Sequence, residues 1–225
     1  MLYAQGFGSR RECEGLCLAG HVSVAGRVVD DPMEDIDTAG LEYVVDGVTW
    51  PYREHALLML HKPDGVECSR QPKHHAGVLS LLPLPLRRRN VQPVGRLDAD
   101  TTGLLLLTDD GALIHRLTSP KHHVPKVYEV TVKHAIEPAL LAALTAGVML
   151  DDHPVPVRAA AVEATGTHTL RLTLTEGKYH QVKRMVAAAG NRVEALHRSA
   201  FGALQLPADL PPGHWRWIEP AIIGL

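Results

Sequence analysis

With 225 residues, 45% apolar and 21% charged, the chain has the balance of a soluble globular protein, long enough for one large domain with a small one appended. No stretch approaches the roughly 18 consecutive apolar residues that span a bilayer, and no basic segment followed by an apolar run opens the chain. A cytoplasmic protein with no membrane partner is therefore expected. Cys13, Cys17 and Cys68 are odd in number and contain no Cys-x-x-Cys pair, which argues against a disulfide framework and against a zinc knuckle.

In chain order, Ser9 to Ala19 reads as a helix, with Ser9 as N-cap and Glu12 three residues on as its capping-box partner; Gly20 ends it. His21 to Val24 and Arg27 to Val29 then read as two short strands around Ala25-Gly26. The string GSRRECEGLCLAGHVSVAGRVV resembles the S4-type RNA-binding module. The resemblance implies Ser9, Arg10, Arg11, His21 and Arg27 as contacts to an RNA backbone, on a module whose opening helix is either trimmed or cut short by a misassigned start.

The segment WPYRE, Trp50 to Glu54, carries a proline before an apolar run, and the domain boundary is placed there: 1–50 for the small module, 55–225 for the large domain. Ala56 to Leu60 reads as a buried strand, Gly103 to Thr108 as another, Val127 to Val132 and Leu170 to Thr175 as alternating strands, and Pro138 to Ala146 as a helix. Leu82 to Pro85 and Pro211 to Gly213 are punctuation within that domain. The expected class is α+β: a small α-β module, then a domain with a largely antiparallel mixed sheet and flanking helices.

The formal charge is −2, but it is unevenly spread. Val28 to Glu54 holds eight acidic residues against Arg53, whereas Arg171 to Arg198 holds six bases against Glu176 and Glu194. Arg87, Arg88, Arg89, Arg96, Arg116, Lys121, Lys126 and Lys133 form a second basic stretch. Phosphate binding depends on such local density rather than on net charge, although a solvated charged face has the same composition.

The most informative string is GRLDADTTG, Gly95 to Gly103, followed by LLLLTDDG. It sets two carboxylates and an arginine on a loop before a buried strand, a rigidly supported place for reactive groups. Taken alone, Asp98 is equally suited to accept hydrogen bonds from Thr101 or Thr102 as a cap or Asx-turn. The whole string, however, resembles the signature of the pseudouridine synthases related to the ribosomal small-subunit enzyme (RsuA-type), whose catalytic aspartate falls on Asp98. HKPDGVECS (His61 to Ser69) resembles that family's opening strand and turn. TSPKHHVPKVYEV (Thr118 to Val130) resembles the motif that supplies a pocket tyrosine, which falls on Tyr128. EGKYHQVKRM (Glu176 to Met185) resembles the last motif, whose basic residue supports the aspartate; it falls on Lys183, with Arg184 as the alternative.

The resemblance implies an S4-like module followed by a pseudouridine synthase domain that isomerises a flipped-out uridine in 16S ribosomal RNA. Asp98 is then the ionised carboxylate, Lys183 the cation that stabilises it, and Tyr128 the ring against which uracil stacks. Besides Ser9, Arg10 and Arg11, the residues expected to meet RNA are Arg96, Lys121, His122, His123, Lys126, Lys178, His180 and Arg184. No cofactor is needed, since isomerisation neither gains nor loses atoms, and no metal is expected, since the fourteen histidines show no recognised ligand spacing. The partner is small-subunit RNA, free or partly assembled, acted on by a monomer. Two alternatives stay open: a synthase acting on 23S RNA, and an inert RNA-binding ribosome-assembly factor.

Overall fold

Ser9 and Glu12 exchange hydrogen bonds as a capping box: Ser9 Oγ accepts the Glu12 N–H at 3.3 Å, and the Glu12 carboxylate accepts the Ser9 N–H at 2.6 Å. Two orphan donors are thereby satisfied, and helix α1 (Arg10–Leu18) starts there. It buries Cys13 and Cys17. Strands β1 (Val22–Val24) and β2 (Arg27–Val28) are joined by Ala25 at φ +50° and Gly26 at φ +77°, the pair of positive angles that a two-residue type I′ hairpin requires. With β3 (Glu42–Val45) and β4 (Val48–Pro51) they form a sheet in the order β2-β1-β3-β4. Its core gathers Leu2, Val22, Val29, Tyr43 and Val45, with Phe7 and Trp50 packed against it.

The computed structural model describes residues 1–69 and 71–223. The chain folds as two units, Met1–Ala56 with Leu82–Val91, and Leu57–Leu81 with Gln92–Leu225. Two details differ from the sequence reading. Pro51 does not lie between the domains: it ends β4, an edge strand, where proline costs no ladder hydrogen bond. Leu82–Val91 is not punctuation inside the larger domain either, so that domain is interrupted in sequence. Pro85 is the second residue of the short helix α2 (Leu84–Arg88), and its carbonyl oxygen would lie 2.0 Å from a Cβ on Gly6. Beyond it, Arg89 donates to Gln5 Oε1 at 2.8 Å and to the Arg53 and Glu54 carbonyls at 3.0 and 2.9 Å. The arginine run thus ties the segment to its own unit.

The larger unit begins with β5 (Leu57–Lys62), followed by the short parallel pair β6 (Val66–Glu67) and β7 (Ala76–Gly77), then β8 (Gln92–Pro93) and β9 (Thr101–Thr108). Asp110 caps α3 (Gly111–Thr118), accepting the N–H groups of Ala112 and Leu113 at 2.8 and 3.0 Å. Then come β10 (Lys126–Val132), α4 (Pro138–Ala146), β11 (Ala161–Ala164), β12 (Thr169–Leu174), α5 (Gln181–Ala188), β13 (Val193–Phe201), β14 (Leu204–Gln205) and β15 (Trp215–Trp217). The main sheet runs β11-β12-β10-β13-β9-β5-β15, with β14 on β13 and β8 on β9. Among the described residues β9–β13 is its one parallel pairing, so the mixed, largely antiparallel α+β class is observed. Leu104 to Leu107 in β9 are fully buried, the apolar run expected of a strand covered on both faces.

One glycine fixes where β13 lies. Gly103 sits at φ +108°, and a Cβ there would fall 2.3 Å from the Arg198 carbonyl oxygen and 2.6 Å from its nitrogen. Only a residue without a side chain permits this approach, which brings β13 alongside the start of β9 and the loop before it.

Candidate active site

The loop before β9 is held from below by Lys62. This lysine is fully buried, and its Nζ donates to the carbonyls of Pro63, Ala99 and Thr101 at 2.9, 2.9 and 2.8 Å. The Asp98 N-terminal neighbour Leu97 is buried, and the Asp98 carbonyl accepts the Thr101 N–H at 3.1 Å. With backbone fixed on both sides, the Asp98 carboxylate is presented to a cleft of about 400 Å³.

Two nitrogens meet that carboxylate, the Lys183 ammonium and the His180 imidazole. Lys183 Nζ lies 3.1 Å from Asp98 Oδ2 and 2.6 Å from Asp100 Oδ1, and His180 Nε2 lies 3.3 Å from Asp98 Oδ1. Both come from the start of α5, where His180 takes a left-handed φ of +46° as N-cap. Burial alone would lower the Lys183 ammonium; its hydrogen bonds to Asp100 and Asp98 outweigh burial and leave it raised. Burial likewise opposes ionisation of Asp100, and the Lys183 hydrogen bond and charge reverse that, so the Asp100 carboxyl is lowered. Arg184 is not the partner of Asp98. It pairs with Asp152 and donates to the Tyr179 carbonyl at 3.2 Å.

The sheet supplies the facing wall. Tyr128 on β10 is buried, pairs in register with Arg198 of β13, and sits at a register shift between Val127 and Tyr128. Lys126, two residues earlier, therefore shares its face. Lys126, Tyr128, Leu196, Arg198 and Phe201 all line the cleft. At its other side Tyr179 stacks on His180, ring centroids 3.9 Å apart and planes 16° from parallel, with Tyr179 72% exposed.

Asp98, Tyr128, Arg96, Lys126, Lys178 and His180 all line the cleft, and Lys183 reaches it through its ion pair with Asp98. Lys121, His122 and His123 are exposed on the turn Pro120–His122 and lie outside the cleft wall. Arg10 and Arg11 are exposed on α1, but the hydroxyl of Ser9 is occupied as helix cap. Lys126 departs from the expectation of a phosphate contact: it is 8% exposed, donates to the Val124 carbonyl at 2.8 Å, and burial together with the neighbouring Arg198 charge lowers it to about 8. Lys62, Tyr179 and Arg198 were not singled out by sequence. For Lys62 the available signal was a lysine closing an apolar strand just before a proline.

The basic stretch from Arg171 to Arg198 is also less free than its composition suggests. Arg171 pairs with Glu129 and Glu163, Lys178 with Glu176, Lys183 with Asp98 and Asp100, Arg184 with Asp152, and Arg192 with Glu194. By contrast Arg96, Arg116 and Lys121 are exposed and form no ion pair with a described residue.

A carboxylate with its counter-cation, a buried tyrosine and a base-sized cleft suit chemistry on a flat heterocycle, and comparison with known proteins says which. Residues 56–188 match the family model described as RNA pseudouridylate synthase. The chain belongs to this family. It is an enzyme of the pseudouridine synthase class, and residues 1–38 match the S4 domain model, so an S4 module precedes the synthase domain. The chain is 41% identical over 219 residues to the "Uncharacterized RNA pseudouridine synthase YtzG" of Bacillus subtilis, covering 96% of this chain and 92% of that one. It is 45% identical over 158 residues to "Ribosomal small subunit pseudouridine synthase A" of Salmonella typhimurium, covering 70% and 68%. A solved pseudouridylate synthase superposes with a TM-score of 0.72 at 34% identity, covering 98% of this chain and 94% of that one. Among the described residues no helix is long and apolar enough to cross a membrane.

Within this family Lys183→Met is expected to slow the reaction at saturating RNA by roughly 10²-fold or more, as for loss of a preorganised charge partner, while RNA affinity stays within about threefold. Lys183→Arg should recover part of the rate, because a cation again reaches Asp98. Single-turnover rates beside filter-binding affinities check both.

Proposed function

We infer that this synthase converts a uridine of small-subunit ribosomal RNA to pseudouridine, with Asp98 as its essential carboxylate acting on a nucleotide turned out of its stack. The observation that carries the reading is the Asp98 carboxylate in the cleft, flanked by Lys183 and His180 at 3.1 and 3.3 Å and sharing that cleft with Tyr128. Breaking the C1′–N1 bond and joining C5 of uracil to the sugar needs a group that attacks or deprotonates the nucleotide, which an ion-paired carboxylate provides. The buried Tyr128 ring offers uracil a flat face, and the exposed Tyr179–His180 stack offers one to a flanking base. The name of the Salmonella relative supports the small-subunit target.

Turning the uridine out costs a few kcal/mol, less in loops and partly unpaired RNA, and contacts to the backbone offset it. Arg96 at the cleft, Lys121 beyond it, and Arg10 and Arg11 on α1 are the exposed cations proposed for this. Replacing Arg10 and Arg11 together with Ala is expected to weaken RNA binding and to flatten the plot of log affinity against log salt by about 1–2, since fewer counterions are released. An unchanged slope would take α1 out of the RNA interface.

The target is tested by tritium release from small-subunit RNA carrying [5-³H]uridine, with and without ribosomal proteins, beside large-subunit RNA treated in the same way. Release from small-subunit RNA is expected. Release from large-subunit RNA alone would keep the chemistry and replace the substrate; none from either would leave an RNA-binding assembly factor.

A further inference from the structure

Arg198 stands apart from every other cation of its stretch. It is 2% exposed, it has no carboxylate partner among the described residues, and its Nη2 is buried without a hydrogen-bond acceptor. Its Nε donates to the Leu104 carbonyl at 2.8 Å. A second buried cation lies beside it: Lys126 Nζ and the Arg198 guanidinium sit 5.3 and 5.2 Å from the centroid of the Phe201 ring. Leu174 and Leu196 complete an apolar lining. Two buried positive charges with an open donor are costly unless something negative arrives, and the aromatic ring compensates only a part of that cost.

What arrives is decided by depth and neighbours. A backbone phosphate remains near solvent, where Arg96 and Lys121 already stand exposed. The group that enters beside Tyr128, on the face shared by Lys126 and Arg198, is the base itself. Uracil is neutral on entry and becomes negative during the reaction: the C1′–N1 electron pair departs with the base and spreads over O2 and O4. Asp98 fills the deficit at the sugar, either by bonding to C1′ or by taking the 2′ proton so that a C1′–C2′ double bond forms. C5 of the base then bonds to C1′, the carboxylate leaves or the proton returns to C2′, and the C5 proton passes to N1. Atoms and charge balance without another reactant.

We propose that Arg198, assisted by Lys126, is a catalytic residue that stabilises the uracil anion generated when the glycosidic bond breaks. The proposal rests on the synthase reading above and assigns a second centre to it, opposite in charge to Asp98. A donor already aimed at the position where charge develops lowers the barrier without reorganisation, the logic of an oxyanion hole.

The test compares wild type, Arg198→Met, Arg198→Lys and Lys126→Met by thermal melt, RNA affinity and single-turnover consumption of the target nucleoside. Two RNAs are used, one carrying uridine at the target and one carrying 5-fluorouridine, whose base leaves more readily as an anion. With uridine, Arg198→Met is expected to lose roughly 10²–10³-fold in rate at saturating RNA with affinity within about threefold, and Arg198→Lys to regain at least tenfold of that, the size of effect seen when one donor to a developing oxyanion is removed. Lys126→Met should lose less. With 5-fluorouridine each loss should shrink several-fold, because less charge stabilisation is required.

Equal losses on both bases would overturn the proposal, as would a fall in affinity and salt dependence with an unchanged saturated rate, which would mark a phosphate contact. If Arg198→Met melts far below wild type, Lys126→Met and Arg198→Lys carry the comparison of the two bases. Failure of wild type to consume either RNA would instead remove the synthase reading on which the proposal rests.

Discussion

Asp98→Asn is expected to abolish product formation, with a fall of about 10³-fold or more in single-turnover rate, equivalent to at least ~4 kcal/mol of barrier, while RNA affinity changes by no more than a few fold. The substitution keeps the shape of the side chain and removes its charge. With Asp98 as the proposed carboxylate, every route from uridine to pseudouridine needs that charge, either to bond to carbon or to accept a proton. RNA binding does not, because the exposed cations proposed to meet the backbone, Arg10, Arg11, Arg96 and Lys121, are other groups. The variant also leaves Lys183 with Asp100 as its partner, 2.6 Å away, so no buried cation is orphaned and the fold should be kept. Rates from rapid-quench assays and affinities from filter binding read the two effects separately; retained turnover would remove Asp98 from the chemistry.

Gly103→Ala is expected to cost about 3–5 kcal/mol of stability, combining the strain of an L side chain at positive φ with overpacking against backbone that has nowhere to go. The angle is +108°, and the added Cβ would meet the Arg198 carbonyl oxygen at 2.3 Å. At roughly 2–4 °C per kcal/mol for a chain of this size, the melting midpoint should fall by about 10 °C or more. The contrast is Gly111→Ala at the start of α3, where nothing beyond its chain neighbours and its own helix backbone lies within 4 Å of the new Cβ and φ is not positive; it should leave the midpoint unchanged or slightly raised. Circular dichroism melts of both variants decide. A Gly103→Ala midpoint within 2 °C of wild type, against the roughly 10 °C expected, would mean that β13 can move away from β9 at little cost.

Local features were the ones the sequence made legible. Ser9 with Glu12, the Ala25-Gly26 turn, the helix at Pro138–Ala146 and the buried strand around Leu104 to Leu107 each follow from residues within a turn or a strand of one another. Asp98 was found by resemblance, since its spacing to Thr101 and Thr102 is equally that of an Asx-turn. Its partner needed the structure: Lys183 and Arg184 are adjacent in sequence but diverge on α5, one to Asp98 and the other to Asp152.

What stayed hidden depends on contacts between distant segments. Leu82–Val91 returns to the first unit because Arg89 finds carbonyls thirty-five residues or more away. The basic stretch lost most of its free charge to Glu129, Glu163 and Asp152, whose proximity no local pattern reveals. Lys62 and Arg198 were missed because composition assigns cations to the surface, whereas each is buried. The alternation along VEALHRSAF does put Leu196 and Arg198 on one face of β13, and that period was the signal that an arginine shared the sheet's buried side.

The most direct measurement is to incubate small-subunit RNA, bare and partly assembled, with wild-type and Asp98→Asn protein and to map pseudouridine by carbodiimide-dependent primer extension. A single new stop with wild type, absent with Asp98→Asn, is the expected result and establishes reaction, target and carboxylate together. A stop of equal strength with Asp98→Asn, or none with wild type on any RNA, would contradict it.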